Sequence, residues 1–206
     1  CAYAGLPLVD HRLDTADRTE FNRLNSAGDL GFGQVPVLRV RRAAAATSDG
    51  ASTATICQSA AILRYLGKIA QPPLQLYPSN PEIAAVVDAI IDHCADTFIG
   101  YKVNKYKQRF GFEASVPTEE ASAGVTEVLN AEIFPRHLGH LARMLGGSKW
   151  LASTPKPSVA DFCWAPVLKR FDEITGIPDF LNRFPTLQEL VDRFYNLPAI
   201  RAYYSH

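Results

Sequence analysis

Two predicted helix starts carry residues that can bind or orient polar groups. Gln58-Ser59 stands where a strand pattern gives way to a helix pattern, and the free N–H groups of a helix start favour an anion. A serine there is also a common N-cap, and the two roles are compatible. Ser158 and Asp161 match the S/T-x-x-D capping box ahead of an apolar run, which predicts a folding role.

Side chains that could titrate occur in a row of carboxylates and as scattered thiols. Asp88, Asp92 and Asp96 recur every four residues, which places them on one face of a helix. Such a row is usually a solvated surface, and this is our interpretation of Asp88. The cysteines lack CxxC pairs, which favours reduced thiols over a zinc site or a disulfide framework. They are Cys1, Cys57, Cys94 and Cys163.

The overall composition is that of a globular protein. Apolar residues make up 47% of the 206 residues and charged residues 20%. Lysine plus arginine equals aspartate plus glutamate, at 21 each, so the basic excess of a nucleic-acid-binding protein is absent. No apolar run is long enough to span a bilayer. The length permits one large domain or two small ones.

The first 70 residues mix strand and helix patterns. Alternating or β-branched runs at 8–14, 35–42 and 52–57 predict three strands, and Asp49-Gly50 predicts a hairpin turn between the last two. A helix is predicted from Ser59, whereas the residues between the first two strands read as a loop. The opening CAYAGLPL reads as the last turn of a helix that stops at Gly5. Since the only methionine is Met144, we expect a segment to precede Cys1.

The remaining residues read as a linker followed by helices. The stretch 71–81 has four prolines in eleven residues, which is typical of a linker. Beyond it, amphipathic patterns predict helices at 81–102, 126–145, 158–171 and 185–197. We therefore predict an α/β domain at 1–70, a linker at 71–81 and an all-α domain at 82–206.

Specific motifs link this pattern to a known family. The stretches FGQVPVL (32–38) and QSAAILRYL (58–66) are similar to the paired glutathione-site signatures of cytosolic glutathione transferases. YAGLPLVDHRL (3–13), VDAIIDHCAD (87–96) and SVADF (158–162) resemble the sigma-like class, which includes the haematopoietic prostaglandin D synthases. The resemblance is collinear over the whole chain. It implies a thioredoxin-like N-terminal domain whose first strand would lie before Cys1, followed by the all-α domain.

The resemblance also implies a glutathione site. In the family, the residue at the place of Val35 pairs its backbone with the cysteinyl unit of glutathione, and Pro36 matches a cis-proline, with Gln34 just before them. Ser59 and its amide would hold the γ-glutamyl carboxylate, with Gln58 beside it.

Further positions show both agreement with the family and departures from it. Asp96 matches an acid that reaches across a dimer to the glutathione amine of the neighbouring subunit. Ala95 replaces an acid that binds a divalent cation between subunits in some members, so we predict no metal. Arg18 stands where a tryptophan is usual and Asn22 where a lysine is usual. Arg18 could bind the glycyl carboxylate instead, or be a solvated surface arginine.

The function implied is that of a cytoplasmic, homodimeric detoxification enzyme that conjugates glutathione to small hydrophobic electrophiles. Glutathione is then a co-substrate, and no cofactor, nucleic acid or membrane is expected. Tyr101, Lys105 and Phe110 lie near the usual place of the electrophile pocket, and the alternative for some of them is an ordinary core or surface position. The tyrosine that activates the thiol would precede Cys1, so we assign no catalytic residue and expect the chain beginning at Cys1 to be inactive. The alternatives are a non-catalytic glutathione-binding or crystallin-like structural member, and a glutathione-dependent prostaglandin isomerase.

Overall fold

The computed structural model describes residues 1–14, 16–41, 53–70 and 72–205. Two compact units divide the chain, Cys1–Gln71 and Pro72–His206. The first unit mixes strands and helices, and the second is helical throughout its described residues.

The first unit is built on a β-hairpin followed by a helix. A 3₁₀ turn at Ala2–Ala4 ends at Gly5, whose φ of 62° is left-handed, as the opening residues predict. Helix α1 (Thr19–Ser26), strands β1 (Val37–Arg41) and β2 (Thr53–Cys57), and helix α2 (Ser59–Ile69) follow. The two strands are antiparallel, as predicted. The predicted turn at Asp49-Gly50 lies outside the described residues.

Two predictions in the first unit are wrong. Residues 8–14 do not form a strand, and Val9 is 94% exposed. Alternation marks a face, but a strand also needs a hydrogen-bonding neighbour, and in the described residues β1 and β2 pair only with each other. The predicted loop contains α1, which the Glu20–Arg23 ion pair of 2.8 Å supports at helical spacing.

The second unit consists of short and medium helices. They are α3 (Pro81–Thr97), α4 (Ile99–Lys105), α5 (Lys107–Phe110), α6 (Glu119–Val128), α7 (Phe134–Leu145), α8 (Val159–Leu168), α9 (Phe171–Thr175), α10 (Pro185–Tyr195) and α11 (Pro198–Tyr204). A π-helical segment at Leu129–Ile133 joins α6 to α7, and 3₁₀ turns occur at Leu151–Ser153 and Phe180–Arg183.

The predicted helices are present, but two are interrupted. The 81–102 helix breaks at Phe98, where Thr97 Oγ1 donates a 2.8 Å hydrogen bond back to the His93 carbonyl. The 126–145 helix contains the π-helical segment immediately before Pro135. Proline has no N–H and its ring crowds the preceding turn, so the regular bonding pattern shifts there.

The core of the second unit lies between α3 and α8. Val87, Ile90 and Ile91 of α3 are at most 3% exposed, and Trp164 of α8 is fully buried. The Trp164 indole Nε1 donates to the Ile90 carbonyl at 2.8 Å, so the largest buried side chain is also satisfied as a donor. The outer end of the predicted apolar stripe stays exposed, since Ile83 is 41% accessible.

Candidate functional site

The hairpin register brings together the two segments that the sequence singles out. Val37, the first residue of β1, lies opposite Cys57, the last residue of β2. Val35-Pro36 lies directly before β1, and Gln58-Ser59 directly after β2. All four residues therefore lie at one end of the hairpin. The Val35-Pro36 peptide bond is cis, as the resemblance implies.

The loop before β1 is held by its own contacts and leaves Val35 on the surface. Leu30 is buried, and the neighbouring Asp29 pairs with Arg39 of β1 at 2.7 Å. The Gly33 N–H donates to the Leu30 carbonyl at 2.7 Å, with φ of 59° at Gly33, a conformation that glycine adopts readily. Val35 is 54% exposed. Gln34 is half-buried.

The start of α2 has an unusual backbone. Gln58 has φ of 72° and ψ of 123°, rare for a residue other than glycine and typical of functional sites. Its carbonyl accepts the first helical hydrogen bond, from Ile62 N–H at 3.0 Å. The serine N-cap interpretation is wrong by one residue, because Gln58 is the N-cap and makes no side-chain capping bond, while Ser59 is the first helical residue. Both residues are exposed.

Arg18 lies at the start of α1, in the same unit. Its guanidinium carbon is 4.2 Å from the centroid of the Phe21 ring, a cation–π distance, and the residue is exposed. Its carbonyl accepts the Asn22 N–H at 2.8 Å, so its backbone begins the helix. The side chain therefore has a stacking partner beside it and an accessible charge.

The three carboxylates of α3 have different surroundings. Asp88 is half-buried and accepts a 2.7 Å hydrogen bond from the Tyr77 hydroxyl, so its interpretation as a solvated surface residue is wrong. Asp92 and Asp96 are exposed. Burial, and then the neighbouring His93, lower the pKa of the His137 imidazole. The Asp96 carboxylate acts in the opposite direction but does not outweigh them.

The capping box at the start of α8 is complete. Asp161 Oδ2 accepts the Ser158 N–H at 2.7 Å and the Ser158 hydroxyl at 3.1 Å, and the hydroxyl in turn accepts the Ala160 N–H at 3.3 Å. Asp161 Oδ1 accepts the Leu151 N–H at 2.9 Å. Asp161 is fully buried, which raises its pKa to about 6 despite these bonds.

A cationic and aromatic group lies on α4 and α5. Lys105 Nζ donates to the Tyr101 hydroxyl at 2.9 Å, and this bond raises the pKa of Lys105. The same ammonium lies 5.9 Å from the centroid of the Tyr106 ring. Tyr106 and Phe110 are 46% and 45% exposed. Sequence reasoning named Tyr101, Lys105 and Phe110 but missed Tyr106, although its adjacency to Lys105 was a usable signal.

Metal binding and membrane spanning find no support in the described residues. Within them, no group of three or more His, Cys, Asp or Glu side chains is arranged to hold a metal ion. No helix that the structure describes has both the length and the apolar character needed to cross a bilayer.

Comparisons with known proteins place this geometry in a family. Residues 112–206 match the family described as glutathione S-transferase, C-terminal domain. The hematopoietic prostaglandin D synthase of Gallus gallus is 30% identical over 206 residues, covering 98% of this chain and 84% of its own length. The chain belongs to the glutathione S-transferase family. A glutathione S-transferase of Anopheles gambiae is 25% identical, covering 98% of this chain and 85% of its own length.

The fold is shared with solved members of the family. The prostaglandin synthase D structure of Nilaparvata lugens matches with a TM-score of 0.76 and 26% identity, covering 99% of this chain and 87% of its own. The predicted fold class, a thioredoxin-like α/β part followed by a helical part, is confirmed by these glutathione S-transferase neighbours. The sigma-like assignment is consistent with the same relatives.

Proposed function

We propose that this glutathione S-transferase binds glutathione at the β1–β2 end of the hairpin and transfers it to small hydrophobic electrophiles. The observation that carries the proposal is the Val37–Cys57 register, which sets the exposed residue Val35 at the same end of the hairpin as the start of α2. An extended peptide can pair with such a backbone as an added strand, and an anion suits the helix start. Glutathione has both features, and no other cofactor is invoked.

Individual residues take distinct roles in this proposal. The backbone of Val35 pairs with the cysteinyl unit, Ser59 with its N–H holds the γ-glutamyl carboxylate, and Gln58 supports it through its left-handed backbone. Gln34 lines the approach. The exposed guanidinium of Arg18 meets the glycyl carboxylate while it stays stacked on Phe21.

The electrophile is proposed to contact the exposed rings of α4 and α5. Tyr106 and Phe110 offer apolar surface, and Lys105 beside Tyr101 supplies a positive charge. Such a surface suits an aromatic or lipid-like electrophile with an anionic or polar end. Glutathione conjugation of this kind would serve detoxification in the cytoplasm.

A homodimer is part of the proposal. Ile83 and Val86, which belong to the apolar stripe of α3, are 41% and 38% exposed. Asp96 is exposed on the same helix. By the resemblance, Asp96 would bind the glutathione amine of the neighbouring subunit, and we propose that role for it in this dimer.

A second candidate function is glutathione-dependent isomerisation of a prostaglandin. The relatives from Gallus gallus and Nilaparvata lugens are named prostaglandin D synthases, which favours this reaction. A conjugase releases a thioether product, whereas an isomerase returns glutathione unchanged. Product analysis with an aryl halide and with a prostaglandin endoperoxide separates the two. Glutathione binding without turnover of either would favour the non-catalytic alternative.

The glutathione site is tested by calorimetric titration of the protein that contains this chain. We expect Ser59→Ala to weaken glutathione binding by about 10- to 150-fold, because a hydrogen bond to a charged group contributes about 1.5–3 kcal/mol. A glutathione analogue whose γ-glutamyl carboxylate is amidated should bind wild type and variant alike. Ser26→Ala, at the exposed end of α1, serves as the control. Absence of glutathione affinity in the wild type would refute the proposal.

A further inference from the structure

Two cysteines that lie far apart in the chain meet in the second unit. Cys94 is on α3 and Cys163 is on α8, and their side chains are hydrogen-bonded to each other. Both residues are half-buried, and neither is in a disulfide. The sequence shows no CxxC pair, so this neighbourhood arises only from the packing of the two helices.

The packing of α3 on α8 fixes the pair. The Trp164 indole, next to Cys163, donates to the Ile90 carbonyl at 2.8 Å, one helical turn before Cys94. Ile90 and Trp164 are buried at 3% and 0% exposure. The backbone positions of the two thiols are therefore set by a neighbouring contact between the same helices. A disulfide needs Cα atoms within about 7 Å of each other. Contact between the two side chains of packed helices favours such a separation.

The contact between the two thiols matters more than the acidity of either one. The hydrogen bond with Cys163, and then burial, raise the pKa of Cys94, while the Lys102 ammonium acts in the opposite direction. Cys94 therefore keeps its proton at neutral pH, and formation of a disulfide depends on the contact between the two side chains rather than on an activated thiolate.

We propose that Cys94 and Cys163 are a redox modification site that forms a reversible disulfide between α3 and α8 when a hydroperoxide is present. One of the two cysteines attacks one peroxide oxygen, which breaks the O–O bond, forms a sulfenic acid and releases water from hydrogen peroxide. The other cysteine then attacks the sulfenic sulfur, which forms the S–S bond and releases a second water. Two thiols lose two electrons and two protons in total, and the peroxide is reduced by two electrons. A small oxidant suits a half-buried pair.

The inference is independent of the proposed glutathione site, since neither Cys94 nor Cys163 is among the residues assigned to that site. The first unit holds two further half-buried thiols, Cys1 and Cys57, and Cys57 lies at the end of β2. Cys57 therefore offers a matched control of similar exposure.

The test uses the reduced protein that contains this chain, treated with hydrogen peroxide, alkylated and digested without reductant. Mass spectrometry should find the Cys94 and Cys163 peptides joined and two hydrogens lighter than their sum, and dithiothreitol should separate them. Cys57→Ser should leave the cross-link unchanged. In Cys94→Ser and in Cys163→Ser the cross-link should be absent, and dimedone should label the remaining cysteine of the pair as a sulfenic acid.

Two results would overturn the proposal. One is full alkylation of both Cys94 and Cys163 at a peroxide dose that oxidises Cys57. The other is a cross-linked product in which Cys94 or Cys163 is joined to a different cysteine and the two are not joined to each other. The first result is measured in the wild-type protein. Misfolding of a variant therefore cannot account for it.

Discussion

Removal of the Asp161 carboxylate should destabilise the protein by about 2–4 kcal/mol. Asp161→Ala leaves the buried N–H groups of Leu151 and Ser158 without an acceptor, and each such loss costs about 1–3 kcal/mol. Asp161→Ala also removes the cost of burying a carboxylate, a cost shown by the rise of its pKa to about 6. This gain offsets part of the stability lost with the hydrogen bonds. Urea unfolding at neutral pH measures the difference, with an unchanged slope showing that the unfolding transition is the same.

A matched cap elsewhere in the second unit provides the control. Thr118 caps α6 by accepting the Ala121 N–H at 3.1 Å, in an exposed position where water can replace the hydroxyl. Thr118→Ala should therefore cost about 1 kcal/mol or less. Ser158→Ala should lie between the two. If Asp161→Ala costs no more than Thr118→Ala, burial of the capping box is not what makes it important.

The pH dependence of the same variant tests the role of burial. The folded-state pKa of Asp161, about 6, lies above the ordinary value of 3.8, so between these values the folded protein binds more protons than the unfolded one. The stability contributed by this group is complete below pH 3.8 and is lost as the pH rises through 6. The deficit of Asp161→Ala should therefore grow on acidification, by up to about 3 kcal/mol at 1.36 kcal/mol per pKa unit. A deficit that shrinks on acidification would mean that the hydrogen bonds outweigh burial.

Three further predictions concern packing and charge. A Cβ at Gly31 would lie 2.9 Å from Cys57 Sγ, so Gly31→Ala should lower the free energy of unfolding in urea by about 1–3 kcal/mol. A double variant that also carries Cys57→Ala should recover that stability, and failure to recover it would contradict the clash. The control is Gly147→Ala, which should be near neutral because the added Cβ lies in open space. Asn104 joins α4 to α6 through three side-chain hydrogen bonds. Asn104→Ala should therefore lower the free energy of unfolding by about 2–3 kcal/mol. A change below about 0.5 kcal/mol would contradict that role. Burial lowers the pKa of His137 below 6.5, so its contribution to stability is present above pH 6.5 and is lost as the pH falls through the folded-state pKa. The decrease in the free energy of unfolding between pH 7 and pH 5 should therefore be smaller in His137→Gln than in wild type. An equal decrease in the two proteins would contradict the shift.

Local pattern predicted the elements that carry their own signals. The capping box at Ser158 and Asp161 is contiguous, so its geometry follows from four adjacent residues. The strand at 8–14 was predicted wrongly because alternation describes side-chain faces and contains no information about a neighbouring strand. Helix α1 was missed although Asp17, three residues before Glu20, is a helix-start signal; the Asp17 carboxylate accepts the Thr19 N–H at 2.8 Å.

Contacts between distant segments could not be predicted in the same way. Asp88 belongs to a regular row of carboxylates, and nothing in that row shows that the Tyr77 hydroxyl lies 2.7 Å from it. Cys94 and Cys163 likewise meet only because α3 and α8 pack together through Trp164. Helical periodicity predicts which face of a helix is buried but not which residue of another helix it meets, because many alignments bury equal apolar area.

The proposed glutathione contacts differ from these because they rest on backbone groups rather than on side-chain pairs. The left-handed φ of Gln58 and the exposed Val35 belong to two short segments, one directly before β1 and one directly after β2, which lie at the same end of one hairpin. A backbone donor or acceptor keeps its position when the side chains around it change, as long as the strand and the helix start are retained. A family resemblance at 30% identity can therefore transfer such a site, whereas the exposed rings of α4 and α5 are side-chain features with no such protection. For this reason, the proposed glutathione contacts depend less on individual side chains than the proposed electrophile contacts do.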